Sequence, residues 1–573
     1  MDRTTWTALF VCVVLLMGYQ IAVQHYYPAV VKVPPPKAAS TQGANGAAAT
    51  PSLKPSSREL VLETDLSAKQ TVVLENDWIK VICSTHGGAI DRVILKKHMA
   101  EKDKPVELHQ GVFEPMLNLE GWFGGTTMVG YQPQQADTRS ATFVREIQPG
   151  LILKRQYVLG DGYSLKLMQT VENKSGKEIS LTPYEMLVGV GAGIYSHDDE
   201  RRYLGGSWST TEQKFSSHSI TEFDDGTFLF LFPKQGKVFV QSNPENHIRW
   251  AAAKNQFFVT ILSCLTEPGE KVILRKVKLP ELVRENKEVP DGIETRLGMP
   301  GFKLIAGESK NLEFNIYTGP KESARLSNLN MGEAAAMEFG WVGWLCKPLL
   351  TALNSIHSVV GNYGISIILL TIFIKLVLWY PQAKANENMR KMQLISPKLK
   401  EVQEKYKEDP TRMQQEMMKL YKEHNVNPVG GCLPLLVQIP IFIAFYYTLL
   451  TAVELRHASF LWISDLSKPD TLFYIPFAGK DWPFNLMPLL MAGTMFWSMH
   501  ITPKTEGVDN PTQNIMKAMP LVMLVFCYNF SSALSLYWTM QNLLSVGQMY
   551  YNLKQPLPKL KKTLSQVGKR KSK

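Results

Sequence analysis

The chain has little cysteine, and none of it in a pattern. Six cysteines in 573 residues, Cys12, Cys83, Cys264, Cys346, Cys432 and Cys527, form no CxxC pair and no metal-ligand spacing. That excludes a disulfide framework or a zinc module as the organising feature. Cys12, Cys432 and Cys527 fall in or beside apolar segments, where a thiol packs as a small hydrophobe. There is no GxxxxGK[ST] loop, no HExxH and no GxSxG elbow, so ATP-driven transport and familiar hydrolysis lack their motifs. Gly189, Gly191 and Gly193 mimic part of a dinucleotide loop, but no helical pattern follows them. No cofactor is implied.

What is present is unevenly distributed. An apolar content of 45% with a mean hydropathy of -0.10 would suit a soluble enzyme. The average misleads, because long apolar stretches at one end are balanced by polar sequence in the middle. The net charge of +11 is also localised. The tail carries Lys559, Lys561, Lys562, Lys569, Arg570 and Lys571 with no acid, which suits anionic lipid headgroups or RNA; a merely solvated tail is the plainer reading.

Residues 1–27 hold an apolar run from Trp6 to Val23, preceded by Arg3 and followed by His25, Tyr26, Tyr27 and Pro28. With no small-x-small cleavage site after it, the run reads as an uncleaved anchor rather than a signal peptide. Residues 28–58, rich in Pro, Ala, Ser, Thr and Gly, read as a flexible tether. From 59 to 325 the pattern alternates in short β-branched segments, as in Thr71-Val-Val-Leu, Ile79-Lys-Val-Ile, Phe228-Leu-Phe-Leu and Lys271-Val-Ile-Leu. Punctuated by turn residues and lacking any long apolar run, it predicts a soluble all-β sandwich. Between 331 and 358 the period changes. Trp341, Leu345, Leu349, Leu353 and Ile356 recur at helical spacing, which predicts an amphipathic helix on the membrane surface, or a packed core helix.

Five further spans follow within 359–552, at about 361–380, 432–453, 485–500, 515–530 and 533–551. The third and fourth are short and joined by Ile501 to Gln513, so they should pair as a hairpin. Lys and Arg are concentrated in Gln382–Asn427 and in the tail from 553 to 573, and are sparse between Glu454 and Pro483. Six spans then place both termini in the cytoplasm and the β domain outside. The fold class expected is a polytopic α-helical membrane protein with a soluble all-β domain.

Lys375 is the only formal charge in the second span. Such a lysine costs up to about 2.5 to 3.5 kcal/mol at the bilayer centre. Measured to Pro381 it lies roughly 9 Å below the cytoplasmic boundary, so its stem could snorkel to water. Its neighbours point elsewhere. Thr371 precedes it by one turn, and the last span carries Ser535, Trp538, Gln541, Asn542, Ser545 and Gln548 along one face, with Gln438 in the third span. Such a stripe lines either a helix contact or a wet cavity. On the cytoplasmic side, Leu399, Val402 and Tyr406 after Pro397, and Met413, Met417 and Leu420 after Asp409-Pro410, predict two helices folded back as a charged hairpin, solvated or meeting a client or ribosome. The run His197 to Arg202 reads as a solvated loop rather than a catalytic cluster.

Several local sequences resemble the YidC/Oxa/Alb insertase family in its Gram-negative form with a large periplasmic domain. They are Gly361-Asn-Tyr-Gly-Ile-Ser-Ile, Glu416-Met-Met-Lys-Leu-Tyr-Lys, Val426-Asn-Pro-Val-Gly-Gly-Cys-Leu-Pro, Gln438-Ile-Pro-Ile-Phe, Tyr446-Tyr, Val453-Glu-Leu-Arg, Asp465-Leu-Ser and Leu536-Tyr-Trp with Asn542 after it. The resemblance is strong over about 340–552 and collinear over the β domain, where Gly87-Gly-Ala-Ile is similar to an early strand motif. It implies a non-enzymatic insertase and chaperone of the bacterial inner membrane. Its hydrophilic groove would take up polar segments of nascent membrane proteins, alone or beside the Sec translocon, below a periplasmic β-supersandwich. It places the groove cation at Lys375, with Thr371 on the same helix and Tyr537 and Trp538 opposite. One departure stands out, since many relatives carry arginine at that position. An anion channel or secondary transporter is the alternative reading, although no internal repeat supports it. A sugar-active β domain is a third, resting on fold alone.

Overall fold

The computed structural model describes residues 69–556 except 102–103, 111, 113, 123–128, 195–200, 229–231, 235, 238, 243–246, 280–289, 425, 427–432, 478–479 and 502–510. The expected anchor, tether and basic tail, together with Cys12, Cys432, His197–Glu200 and most of the Val426–Pro434 motif's loop, lie outside the described residues. Two compact units divide between Met337 and Glu338.

The first unit is built on antiparallel sheets. The largest has nine strands in the order Phe215–Ser219, Gly205–Thr210, Ile248–Lys254, Phe258–Cys264, Ser309–Pro320, Ser164–Asn173, Leu151–Leu159, Ser140–Gln148 and Gln132–Ala136. A five-stranded sheet, ordered Phe239–Ser242, Lys271–Lys278, Asp291–Met299, Tyr184–Gly191 and Leu119–Glu120, packs against it. Leu151–Leu159 alternates buried and half-buried positions along its length, as a strand with one face on the core must. Phe258–Cys264 is buried at every position, which marks it as a strand covered on both faces. Gly189, within the strand Tyr184–Gly191, sits at a register shift rather than in a phosphate-binding turn.

Gly87 and Gly88 turn the chain between two strands with φ of 76° and 53°. A Cβ on Gly88 would come within 2.8 Å of the Tyr131 ring. Their carbonyls accept from the fully buried Arg155 and from Tyr157 at 2.9 and 2.8 Å. Of the segment read from Phe228, residues 229–231 lie outside the described residues; short strands Gly226–Phe228 and Phe232–Lys234 on either side pair with each other. Arg201 pairs with Asp224 and Asp291 as part of a charge cluster at the edge of the unit. A single helical turn, α1 (Ser323–Ser327), follows the last strand.

The second unit is helical: α2 (Gly343–Val360), α3 (Tyr363–Val377), α4 (Trp379–Lys405), α5 (Pro410–Glu423), α6 (Leu433–Thr451), α7 (Leu486–Ile501), α8 (Pro511–Cys527) and α9 (Ser532–Lys554). The amphipathic helix starts at Gly343, not near Met331; Trp341 lies in a preceding 3-10 turn and is exposed. Its inner face, Cys346, Leu349, Leu350 and Leu353, is buried, and the Thr448 hydroxyl of α6 donates to the Cys346 carbonyl at 3.5 Å. The packed alternative therefore describes that face, while Trp344 remains exposed.

Gly361, in the left-handed region at φ 74°, ends α2, and the Asn362 side chain accepts from Ile365 N to begin α3. Helix α3 stops at Val377, short of the expected 380. Pro381 supplies the reason, since its ring conflicts with the carbonyl four residues back. The chain restarts at Trp379 with a bend of 62° and then runs unbroken through Pro397. No single helix among the described residues is long and apolar enough to cross a membrane alone; the bent pair α3 and α4 qualifies together. In α9 the polar stripe lowers the hydropathy. The segment between Glu454 and Pro483, read as a loop, contains a 3-10 turn and the first strand of a β-hairpin, Thr471–Phe477 with Lys480–Asn485.

Candidate functional site

Helix α3 is turned inside out relative to a soluble helix. Ile365, Leu369, Phe373, Leu376 and Val377 are exposed, whereas Ser366, Thr371 and Lys375 are buried. In a membrane unit this is the economical arrangement, because lipid accepts the apolar face and other helices must satisfy the polar one.

Lys375 is 3% exposed, and its Nζ donates to Ser545 Oγ of α9 at 2.8 Å. The side chain is thus directed at the last helix and not along the snorkelling path to the surface. The straight helix to Pro381 on which its depth was reckoned is interrupted, because α3 ends less than one turn after Lys375. An ammonium has three donors. Only the bond to Ser545 is made to protein among the described residues, and no carboxylate pairs with it.

Ser545 Oγ donates in turn to the Gln541 carbonyl at 2.8 Å. The Gln541 side chain donates to Gln438 Oε1 at 3.1 Å, and Gln438 Nε2 donates to Tyr537 Oη at 3.0 Å. Lys375, Ser545, Gln541, Gln438 and Tyr537 therefore form one polar thread across α3, α9 and α6. Aromatic rings flank it: Tyr537 stacks on Phe445 at 4.1 Å, and Trp538 meets Phe442 edge-on at 4.4 Å. Thr371, 1% exposed, spends its proton on the Ile367 carbonyl at 2.6 Å. Ser535 Oγ is buried without a hydrogen-bond partner among the described residues.

Asn542 does not join the thread. It reaches the other way, donating to Met491 O and Thr494 Oγ1 of α7 at 3.3 Å each. On a helical wheel it lies beside Ser535 near one edge of the stripe, and the six side chains span an arc of roughly 140°, too wide to face one neighbour. Gln548, at the opposite end of α9, reaches the Trp379 carbonyl at 3.5 Å.

One end of this site is closed by main chain. Ser532 and Ala533, at the start of α9, donate to the carbonyls of Lys468 (2.8 Å) and Leu466 (3.0 Å). Asp470 accepts from Met487 N at the start of α7 and from Trp462 Nε1, at 2.7 and 3.0 Å. The quoted Asp465-Leu-Ser motif makes the turn that feeds these caps, Asp465 accepting from Ser467 N and Oγ. Gly364 fits the same corner, where a Cβ would lie 2.2 Å from the Phe460 ring.

At the other end the charged hairpin is docked. Arg390 of α4 donates to the Asn552 and Gln555 carbonyls at the end of α9, at 2.6 and 2.8 Å. In sequence Arg390 is one of the many basic residues of Gln382–Asn427; the uncapped carbonyls at the end of α9 are the only signal for its partner. Within the hairpin, Leu399 packs with Ile395 and Val426, joined by Met417 and Leu420. Val402 and Met413 are half-buried outside that cluster, and Tyr406 lies in the turn beneath Arg412, 5.4 Å from its guanidinium. The cap of α5 at Asp409, accepting from Arg412 N at 3.0 Å, follows the expected Asp-Pro start.

Comparison with known proteins covers both units. The family description "YidC periplasmic domain" matches residues 71–352, and "60Kd inner membrane protein" matches residues 355–559. The membrane protein insertase YidC of Haemophilus influenzae (strain PittEE) is 31% identical over 90% of this chain and 92% of its own length. That of Pasteurella multocida (strain Pm70) is 31% identical over 90% and 91%. A crystal structure of an active YidC insertase with its first transmembrane domain resolved covers 85% of this chain and 93% of that one at 15% identity, with a TM-score of 0.34. On the strength of near full-length sequence identity, this chain belongs to the YidC family of membrane protein insertases, inner-membrane proteins with a periplasmic domain.

Proposed function

We propose that the polar thread is the groove through which this chain inserts client helices into the bilayer, with Lys375 as its cation. The observation that carries the reading is the buried ammonium, held by Ser545 with donors to spare and no paired carboxylate. A short acidic or polar client segment supplies acceptors that the protein withholds, lowering the cost of moving that segment partway across. Thr371, Gln438, Ser535, Tyr537, Trp538, Gln541 and Ser545 line the groove, and the client's apolar helix leaves past α3 into lipid. Asn542 fixes α9 to α7 beside it.

The domain order we assign is anchor 1–27, tether 28–58, periplasmic β-supersandwich 59–325, interfacial segment 331–358 with its helix from Gly343, insertase core 359–552 and basic tail 553–573. Six spans put both termini in the cytoplasm. Clients are nascent membrane proteins, presented alone or by the Sec translocon; the hairpin and tail face ribosomes and anionic lipids. The main-chain caps over the outer end of α7 and α9 favour a one-sided groove over a through-channel. The chain acts without enzymatic turnover, and deletion of the β domain with insertion intact would separate the two units' roles.

The test is insertion of a client with a short acidic translocated tail into vesicles carrying the purified protein. Lys375→Arg should keep insertion and Lys375→Glu should abolish it. Equal insertion by the Glu variant would sink the cationic role.

A further inference from the structure

The hairpin Thr471–Phe477 with Lys480–Asn485 is largely apolar on both faces, its two charges, Lys480 and Asp481, lying together at the turn end opposite Phe477 and Pro476. Ile475 pairs with Trp482 and Phe473 with Phe484, which places those four on one side; the intervening Tyr474 lies on the other. Phe473, Tyr474, Ile475 and Trp482 are 52, 63, 45 and 56% exposed. Neither face is therefore packed on the helical unit. A two-stranded hairpin with two bare apolar faces is not stable in water by itself.

Its base, by contrast, is clamped. Thr471 Oγ1 donates to Asn485 Oδ1 at 2.7 Å, and Asn485 Nδ2 donates to the Tyr528 carbonyl at 2.9 Å. Tyr528 Oη donates to the Pro483 carbonyl at 2.8 Å. Asp470, immediately before the first strand, holds the start of α7. The second strand passes directly into α7, whose Leu490, Phe496 and Trp497 are exposed on the unit's apolar outer surface.

We infer that this hairpin is an interfacial membrane anchor, a rigid blade lying in the headgroup and upper acyl zone of the leaflet opposite the charged helical hairpin. Three observations converge on lipid as the occupant. The hairpin runs without a break into α7, which exposes Leu490, Phe496 and Trp497. The strand Thr471–Phe477 carries no charge, and the pair displays Trp and Tyr, the residues suited to the membrane–water boundary. The unpaired backbone edges of a two-stranded sheet forbid the hydrocarbon centre, while its two apolar faces forbid bulk water. Only the interface satisfies both.

The test uses the full chain in phosphatidylcholine vesicles with nitroxide labels placed singly by Tyr474→Cys and Ile475→Cys, one on each face. Collision with lipid-soluble oxygen should exceed collision with an aqueous nickel chelate at both sites, and the reverse should hold for a label at Asp161→Cys in the β unit. Fast collision with the nickel chelate at either hairpin site would place that face in water and overturn the proposal. Shielding from both reagents would mean that protein covers the hairpin, and would overturn it equally. The result is independent of insertion activity, so failure of the groove reading would leave it standing.

Discussion

Arg390 donates to the Asn552 carbonyl at 2.6 Å and so ties the charged hairpin to the C-terminal turn of the last helix. A guanidinium at a helix C-terminus both satisfies orphan carbonyls and complements the helix dipole. Its loss removes charge-assisted bonds worth about 1.5 to 3 kcal/mol each at most. Arg390→Ala should raise amide hydrogen exchange in the first turns of α4 by roughly ten-fold or more, with Arg390→Lys in between. Unchanged exchange there would show the contact carries no load.

Gln438 and Tyr537 offer a way to separate stability from function. Tyr537→Phe alone strands the Gln438 amide, a loss of about 1 to 3 kcal/mol read as a lower midpoint of thermal unfolding in detergent. Adding Gln438→Leu removes the stranded amide but also the acceptor of Gln541, so it should recover only part of that loss. The double variant should still insert acidic-tailed clients poorly, because the thread ends at α9. Full insertion by the double variant would assign the pair a packing role only.

Gly364 is fixed by sterics rather than by backbone angle. Gly364→Ala drives a methyl into Phe460 and should cost about 1 to 3 kcal/mol. Phe460→Leu in the same chain should relieve it. The pair of unfolding midpoints tests this; a Gly364→Ala protein as stable as the parent would mean the corner can shift.

His109 makes the β unit sensitive to mild acid. Its Nε2 donates to the Glu114 carbonyl at 2.7 Å, while Nδ1 is buried without a partner among the described residues. Burial, opposed by that bond, pulls the imidazole from 6.5 down to about 4. The unfolded chain thus binds the extra proton first. Stability should fall as pH drops from about 6.5 to about 4 and level off below, by on the order of 3 kcal/mol in all. His109→Asn, which suits its left-handed backbone, should flatten the curve. A slope that survives the substitution belongs to other groups.

Much of this arrangement was legible in the sequence because the signals were local. Lys375 stood out as a lone charge in an apolar run, and Asp409-Pro410 marked a helix start by capping chemistry alone. The alternation at Ile79-Lys-Val-Ile marked a strand by period. What sequence could not resolve were choices made by tertiary contact. The stripe on α9 gave spacing but not direction, so Asn542 was grouped with residues it turns away from. The stop at Val377 was displaced because a proline acts on the carbonyl four residues back. Arg390 and Asp470 each serve a helix end distant in sequence, and neither sits in a pattern that names its partner.

The caps at Leu466, Lys468 and Asp470 hold the N-terminal ends of α9 and α7 by their backbone N–H groups. The far end of α9 is held by the side chains Arg390 and Gln548. Fastened in this way, the helix behaves as a lever with its fulcrum at one end. For a 23-residue helix, a tilt of about 10° about the capped end would move the side-chain-held end roughly 6 Å. A tilt of that kind would strain the side-chain contacts of Arg390 and Gln548 before it reached the main-chain caps.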